Sequence, residues 1–221
     1  MSKYSINITR DFPNYKMGFV ENFLSEYRSS KLFGILNTLL PDKITKKGAI
    51  SKKRSNLMFG DRGLIYRVWG GGFIDKDGKK RKKWKIERKV IGWDIIEPEG
   101  LSAATQDAIA GILMIKRRTE KLTGKKFRYC SVMKYPNGSV GISPHKDKEM
   151  SGKMICGVSI YDSGYQDEYR ELVMQNGKKR HVFSLTQGSL YIIYNPTNNY
   201  WMHSIPKNNS KRARISLTFR E

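Results

Sequence analysis

From residue 127 to the C-terminus the sequence is a succession of short β-forming runs, a pattern that very few architectures accommodate. The runs fall at 127–135, 142–145, 154–160, 171–174, 181–184, 189–194, 200–205 and 212–220. Eight strands at this spacing predict two antiparallel sheets packed as a jelly roll, the double-stranded β-helix. Upstream the apolar spacing changes to a helical period. Residues 21–40 carry Phe23, Leu24, Tyr27, Leu32, Phe33 and Leu36 at amphipathic spacing, and Pro41 ends the stretch. Residues 102–122 repeat the pattern with Ile109, Ile112, Leu113 and Ile115, followed by Gly124 as a C-terminal stop. The expected class is α+β, a jelly-roll core buttressed by helices.

Between the two helical stretches, 64–68 and 84–91 read as strands joined through Gly70-Gly71-Gly72 and the turn signal Asp77-Gly78. Their connection holds Lys79, Lys80, Arg81, Lys82 and Lys83, giving a basic β-hairpin lid. The basic excess is general: 42 Lys and Arg against 20 Asp and Glu leave a net charge of +22 over 221 residues. It is also clustered. Residues 43–54 carry six positive charges and no negative one, and 75–89 carry nine against three. Charge packed this densely repels itself unless a polyanion belongs to the working state. Interleaved aromatics favour a nucleic acid, DNA or RNA, over an anionic membrane or an acidic protein. The expected organisation is a helical extension over 1–50, a basic nucleotide-recognition hairpin region over 51–100 and the jelly-roll core over 101–221, in one compact domain.

No apolar run approaches the length of a membrane span, and the N-terminus lacks the apolar segment of a signal peptide. Cys130 and Cys156 have no metal-binding or redox spacing and lie in apolar runs, as expected of reduced thiols in an intracellular protein. Nothing calls for an obligate protein partner, so a monomer is expected.

The chain has three histidines: His145, His181 and His203. His145-Lys146-Asp147 puts an imidazole and a carboxylate on one side of an extended segment. One further distant histidine would complete a two-His, one-carboxylate set on one face of an octahedron. The opposite positions would stay open for a bidentate co-substrate and O2, an arrangement suited to Fe(II). The C-terminal run Arg214-Ile215-Ser216-Leu217-Thr218-Phe219-Arg220 alternates strictly, with both arginines, Ser216 and Thr218 on one face. An ordinary edge strand would turn that face to water. Beside an iron site, a guanidinium fork suits a dicarboxylate co-substrate.

The stretch Gly188-Ser189-Leu190-Tyr191-Ile192-Ile193-Tyr194-Asn195-Pro196-Thr197-Asn198, then Trp201-Met202-His203-Ser204-Ile205-Pro206, then Arg214 to Arg220, closely resembles the end of AlkB-family dioxygenases, nearest the eukaryotic DNA-repair members. The resemblance extends upstream through His145-Lys146-Asp147-Lys148-Glu149, Tyr135-Pro136-Asn137-Gly138 and Phe59-Gly60-Asp61-Arg62-Gly63-Leu64-Ile65-Tyr66, covering 50–221. It implies Fe(II) held by His145, Asp147 and His203, with 2-oxoglutarate and O2 as co-substrates. It further implies Arg214 on the distal carboxylate of 2-oxoglutarate and Arg220 nearer the metal-bound one, with Tyr135, Ser216 and Thr218 beside them. His181 matches no ligand position and is read as structural.

The implied activity is oxidative demethylation of 1-methyladenine or 3-methylcytosine type bases. Tyr66 and Glu149 would line the base pocket, Trp69, Phe73 and Trp84 would be candidates for stacking, and Lys79 to Lys83 would hold the backbone. The alternatives are an oxygenase hydroxylating other nucleic-acid or protein groups, and a catalytically weak nucleic-acid-binding module. The sequence departs from the family pattern at Met133 and Ser216, each in place of an Asn, and at Val68, in place of a stacking aromatic. The first two bear on co-substrate affinity and the third on substrate choice.

Overall fold

The computed structural model describes residues 4–42, 54–61, 65–69, 85–93, 102–147, 150, 153–163 and 168–221, with backbone only at 65–69 and 85–89. The larger of its two main sheets runs in the order β1 (Asn7–Thr9), β2 (Met17–Val20), β12 (Leu190–Ile193), β9 (Ile155–Tyr161), β14 (Arg214–Arg220), β7 (Tyr129–Tyr135), β3 (Ser55–Gly60) and β6 (Ile91–Gly92). The smaller runs β11 (Lys179–Leu185), β10 (Arg170–Asn176), β13 (Met202–Ile205) and β8 (Ile142–His145). Of these pairings only β3–β6 is parallel. The jelly roll expected from the strand spacing is present.

Strand β14 shows how the sequence sorts itself between layers. Ile215, Leu217 and Phe219 are fully buried beneath the helices α1 (Glu26–Leu39) and α2 (Ala103–Thr123), in one core with Leu32, Leu36, Ile112 and Ile115. Burying each such side chain contributes about 1.5–3 kcal/mol, enough to fix the strand's facing. Its polar face, Arg214 to Arg220, therefore turns inward between the sheets rather than to water. There it meets a second core that draws Ile155, Tyr191 and Ile193 from the larger sheet and Leu172, Met174 and Ile205 from the smaller. Both cysteines are buried free thiols.

Helix α2 lies within one residue of expectation because its ends are chemically marked. The Ser102 hydroxyl accepts from the Thr105 amide at 3.2 Å, and Gly124 closes the helix at φ 70°. Helix α1 begins later than its apolar pattern, since Asn22 takes a φ of 52° and Ser25 is the extended cap. Phe23 and Leu24 are buried ahead of the helix, with the Leu24 amide on the Gly188 carbonyl at 3.0 Å.

Three differences from the sequence reading bear on the site. The first fifty residues, read as a helical extension, also supply β1 and β2, the latter paired with β12 from Leu190↔Val20 to Ile193↔Met17. Residues 55–60 add β3 beside β7. The strand expected from Tyr200 starts at Met202, because Thr197–Tyr200 forms a single turn, α3. Within the basic region, β4 (Ile65–Trp69) and β5 (Lys85–Lys89) pair antiparallel from Ile65↔Lys89 to Trp69↔Lys85. Phe73, Trp84, Glu149 and Lys79 to Lys83 lie outside the described residues, as do the side chains of Tyr66, Val68 and Trp69. Among the described residues, no helix is long and apolar enough to cross a membrane.

Candidate metal centre

His145 and His203 face each other directly across the β8–β13 ladder, so both imidazoles stand on the inner face of the smaller sheet. Their ring centroids are 4.2 Å apart. Asp147 follows just past the end of β8, its Oδ1 lying 3.5 Å from His145 Nε2 and 4.0 Å from His203 Nε2. One donor atom from each residue falls within 4.8 Å of the others, and no fourth His, Cys, Asp or Glu among the described residues joins them. Two nitrogens and one oxygen at one end of a cavity leave coordination positions open, as the facial arrangement requires.

The surroundings prepare each donor. His145 Nδ1 lies 2.9 Å from the Ser143 carbonyl, which places the proton on Nδ1 and leaves the Nε2 lone pair free. Burial would lower its pKa, but the Asp147 and Ser143 hydrogen bonds prevail and raise it. At His203 burial dominates and pushes the pKa down to about 4, so the imidazole is neutral near pH 7. Burial opposes the charge on Asp147 too, yet the His145 bond and the Arg220 guanidinium outweigh it and hold the carboxyl below its ordinary range. Arg220 donates from Nε and Nη2 to Oδ2 at 3.0 and 2.6 Å, which leaves Oδ1 facing the histidines. Asn198 fixes the Asp147 backbone reciprocally: its Oδ1 accepts from the Asp147 amide at 3.0 Å and its Nδ2 donates to the carbonyl at 2.8 Å.

A cavity leads from this triad between the two sheets, past Ser131, Met133 and Thr218, to Tyr135, Ser216 and Arg214. The strand register builds its wall, setting Arg214 opposite Tyr135, Ser216 opposite Met133 and Thr218 opposite Ser131. Arg214 is 1% exposed, which makes its charge costly unless answered. It donates to Ser159 Oγ at 3.2 and 2.9 Å and to Ser216 Oγ at 3.2 Å, and its Nη1 is buried without a partner. Its guanidinium lies 5.2 Å from the Tyr135 ring centroid. A buried cation with an unused donor fits an anionic ligand. Gly157 on β9 is a close approach: a Cβ there would collide with the Tyr191 ring, which lines the same cavity.

The sequence reading's metal and co-substrate residues thus come together: His145, Asp147 and His203 at one end, Arg214, Tyr135 and Ser216 at the other, Thr218 and Arg220 between. Sequence reasoning missed Ser159, and it quoted Tyr191 within a motif without giving it a place at the site. Asn198 was within a quoted motif, but its role against Asp147 depends on α3, which no spacing announced. His181 packs against Phe183 at 4.6 Å and lies 3.6 Å from Asp11, apart from the triad. A roomier groove on the outer face of the smaller sheet, lined by Ser143, Gln175, Arg180 and Lys207, contains no such ligand set.

Residues 94–220 match the family model of the 2OG-Fe(II) oxygenase superfamily. Among curated proteins, the DNA oxidative demethylase ALKBH2 of Bos taurus is 27% identical over 136 residues, covering 55% of this chain and 47% of that protein. The Homo sapiens ALKBH2 is 29% identical over 136 residues, covering 55% and 50%. The chain spans about half the length of the curated relatives it matches. Among solved structures, a Pseudomonas putida prolyl-4-hydroxylase aligns with a TM-score of 0.48 at 14% identity, covering 93% of this chain and 92% of that one.

Proposed function

Because the chain belongs to the 2OG-Fe(II) oxygenase superfamily, whose chemistry uses Fe(II), 2-oxoglutarate and O2, we propose that it is an oxidative demethylase of alkylated bases in DNA or RNA. The observation that carries the reading is a single cavity with a metal-ligand triad at one end and a buried, under-bonded arginine at the other. His145, Asp147 and His203 would hold iron, which with 2-oxoglutarate and O2 supplies hydroxylation of an unactivated C–H bond.

The chain's own residues set the conditions for that chemistry. Arg214 receives the distal carboxylate, with Tyr135 and Ser216 as neighbouring hydroxyls. Arg220 keeps Asp147 ionised and turned toward the metal position. Met133 and Ile155 keep the middle of the cavity apolar and limit water. Hydroxylation of an N-methyl group on a base gives a product that collapses to formaldehyde and the unmethylated base, still attached to its strand.

The nucleic-acid substrate is supported by the similarity to ALKBH2 demethylases and by the clustered charge of +22. A base must leave its stack to reach a buried centre. We assign Tyr66, Trp69 and Glu149 to the base, and Lys79, Lys80, Arg81, Lys82 and Lys83 to the phosphates. The test is turnover with Fe(II), 2-oxoglutarate and ascorbate on oligonucleotides carrying 1-methyladenine or 3-methylcytosine, followed by mass analysis. Loss of 14 mass units per lesion, from replacement of one methyl by hydrogen, is expected, roughly a CH2 equivalent, and His203→Ala abolishes it. Co-substrate turnover without restored base would rule out demethylation while leaving the oxygenase intact.

A further inference from the structure

Arg170 opens β10, four residues along the strand from Met174, which pairs with His203. It is 1% exposed and has no assigned task. Nη1 donates to the Asn137 carbonyl at 3.2 Å, and Nη2 to the Val140 and Pro206 carbonyls at 3.0 and 2.5 Å. These acceptors lie on the two connections flanking the cavity, 136–141 after β7 and 206–213 after β13. Its Nε is buried without a partner. The guanidinium is 5.8 Å from the Tyr135 ring centroid, the ring that Arg214 also approaches.

A carbonyl clamp needs donors, not charge. Neutral groups or water would satisfy three carbonyls without burying a second cation near the first. Neither Arg170 nor Arg214 pairs with a carboxylate among the described residues. Burial lowers the basicity of Arg170, and the Arg214 charge lowers it further. With Arg54 also 5.8 Å from the Tyr135 ring centroid, three guanidinia surround one ring. The two that are buried, Arg170 and Arg214, are unfavourable together until an anion joins them. The connections also hold each other without Arg170, the Gly138 amide donating to the Ser210 carbonyl at 2.7 Å and the Asn208 amide to the Gly138 carbonyl at 2.9 Å.

We infer that Arg170 is a positioning residue for the distal carboxylate of the co-substrate, fixing the Tyr135 side of the cavity and adding a second buried positive charge beside Arg214. The inference rests on the co-substrate reading of the cavity. It makes affinity at the distal end depend on Arg170 and affinity at the metal end independent of it.

The two ends separate experimentally because oxalate chelates a metal as 2-oxoglutarate does but has no distal carboxylate. Anaerobic Fe(II)-loaded protein is titrated calorimetrically with each ligand, as wild type, Arg170→Lys and Arg170→Met. Expected is a loss of about tenfold or more in 2-oxoglutarate affinity for Arg170→Met and a smaller loss for Arg170→Lys, with oxalate affinity within about twofold for both. Equal losses for the two ligands would make Arg170 an ordinary structural clamp and overturn the inference, as would unchanged 2-oxoglutarate affinity. Should Arg170→Met not fold, Arg170→Lys carries the same comparison. Wild type that binds oxalate but not 2-oxoglutarate would instead overturn the co-substrate reading itself, and this inference with it.

Discussion

Asp147 has two carboxylate oxygens with two different tasks. Arg220 occupies Oδ2 through both Nε and Nη2, so Oδ1 alone is offered to the histidines. Asn198 then fixes the backbone that carries the carboxylate. Partners of this kind typically account for 10–100-fold in metal affinity or activity. Asn198→Ala is therefore expected to weaken Fe(II) binding by about that factor while the fold persists, measured by anaerobic metal titration with thermal melting alongside. At Gly157 the prediction is steric. Gly157→Ala drives the Tyr191 ring into the cavity, costing about 1–3 kcal/mol of stability together with 2-oxoglutarate affinity, measured by denaturant unfolding and calorimetry. These residues mark what the sequence could say. The alternation from Arg214 to Arg220 revealed which side chains share a face. That this face looks inward, and that Arg220 reaches Asp147 across 73 positions, follows from which apolar face the helices cover, a tertiary fact no local pattern contains.

The elements were legible where their ends are chemically marked and illegible where they are short. Helix α2 announced itself through Ser102 and Gly124. Strands β1 and β2, of three and four residues, exist because β12 offers an edge some 170 positions away. Removing residues 1–20 would strip that edge and the buried side chains of Tyr15, Met17 and Val20. The truncated chain is expected to aggregate or to melt at markedly lower temperature, seen by light scattering and thermal denaturation. Where α2 leads into β7, Glu120 accepts from Lys116 Nζ at 2.7 Å and the Phe127 amide at 3.0 Å. Burial opposes its charge, but the Lys116 and Phe127 hydrogen bonds prevail and lower the pKa. A carboxyl depressed on folding stabilises fully above its unfolded pKa, and that contribution is lost as pH falls through the folded value. Glu120→Gln should therefore cost about 1.5–3 kcal/mol at pH 7, with the gap to wild type closing toward acid pH in denaturant titrations.

At the scale of the whole molecule, the cavity and the clustered charge suit different ligands. The cavity, shielded from solvent, suits a small dianion beside a metal, with the three candidate ligands at one end and the buried Arg214 at the other. Of the net charge of +22, large shares fall at 43–54 and 75–89. If that excess tracks phosphates, affinity for an oligonucleotide must fall linearly on a log–log plot against salt, each neutralised phosphate contributing a slope of about 0.9 on duplex and about 0.7 on single strand. Replacing Lys79, Lys80, Arg81, Lys82 and Lys83 by Ala should then reduce the slope by as much as about 4.5 on duplex or about 3.5 on single strand, depending on how many of the five make contacts. The loss should be similar for methylated and unmethylated oligonucleotides, because phosphate contacts position without reading the base. If the co-substrate binds in the cavity as proposed, affinity for 2-oxoglutarate should not change. Fluorescence anisotropy across a salt series, with a calorimetric titration of the co-substrate on the same variant, decides the matter. An unchanged slope would remove these five residues from the proposed nucleic-acid contacts, and a parallel loss of 2-oxoglutarate affinity would mean that they and the cavity are not independent.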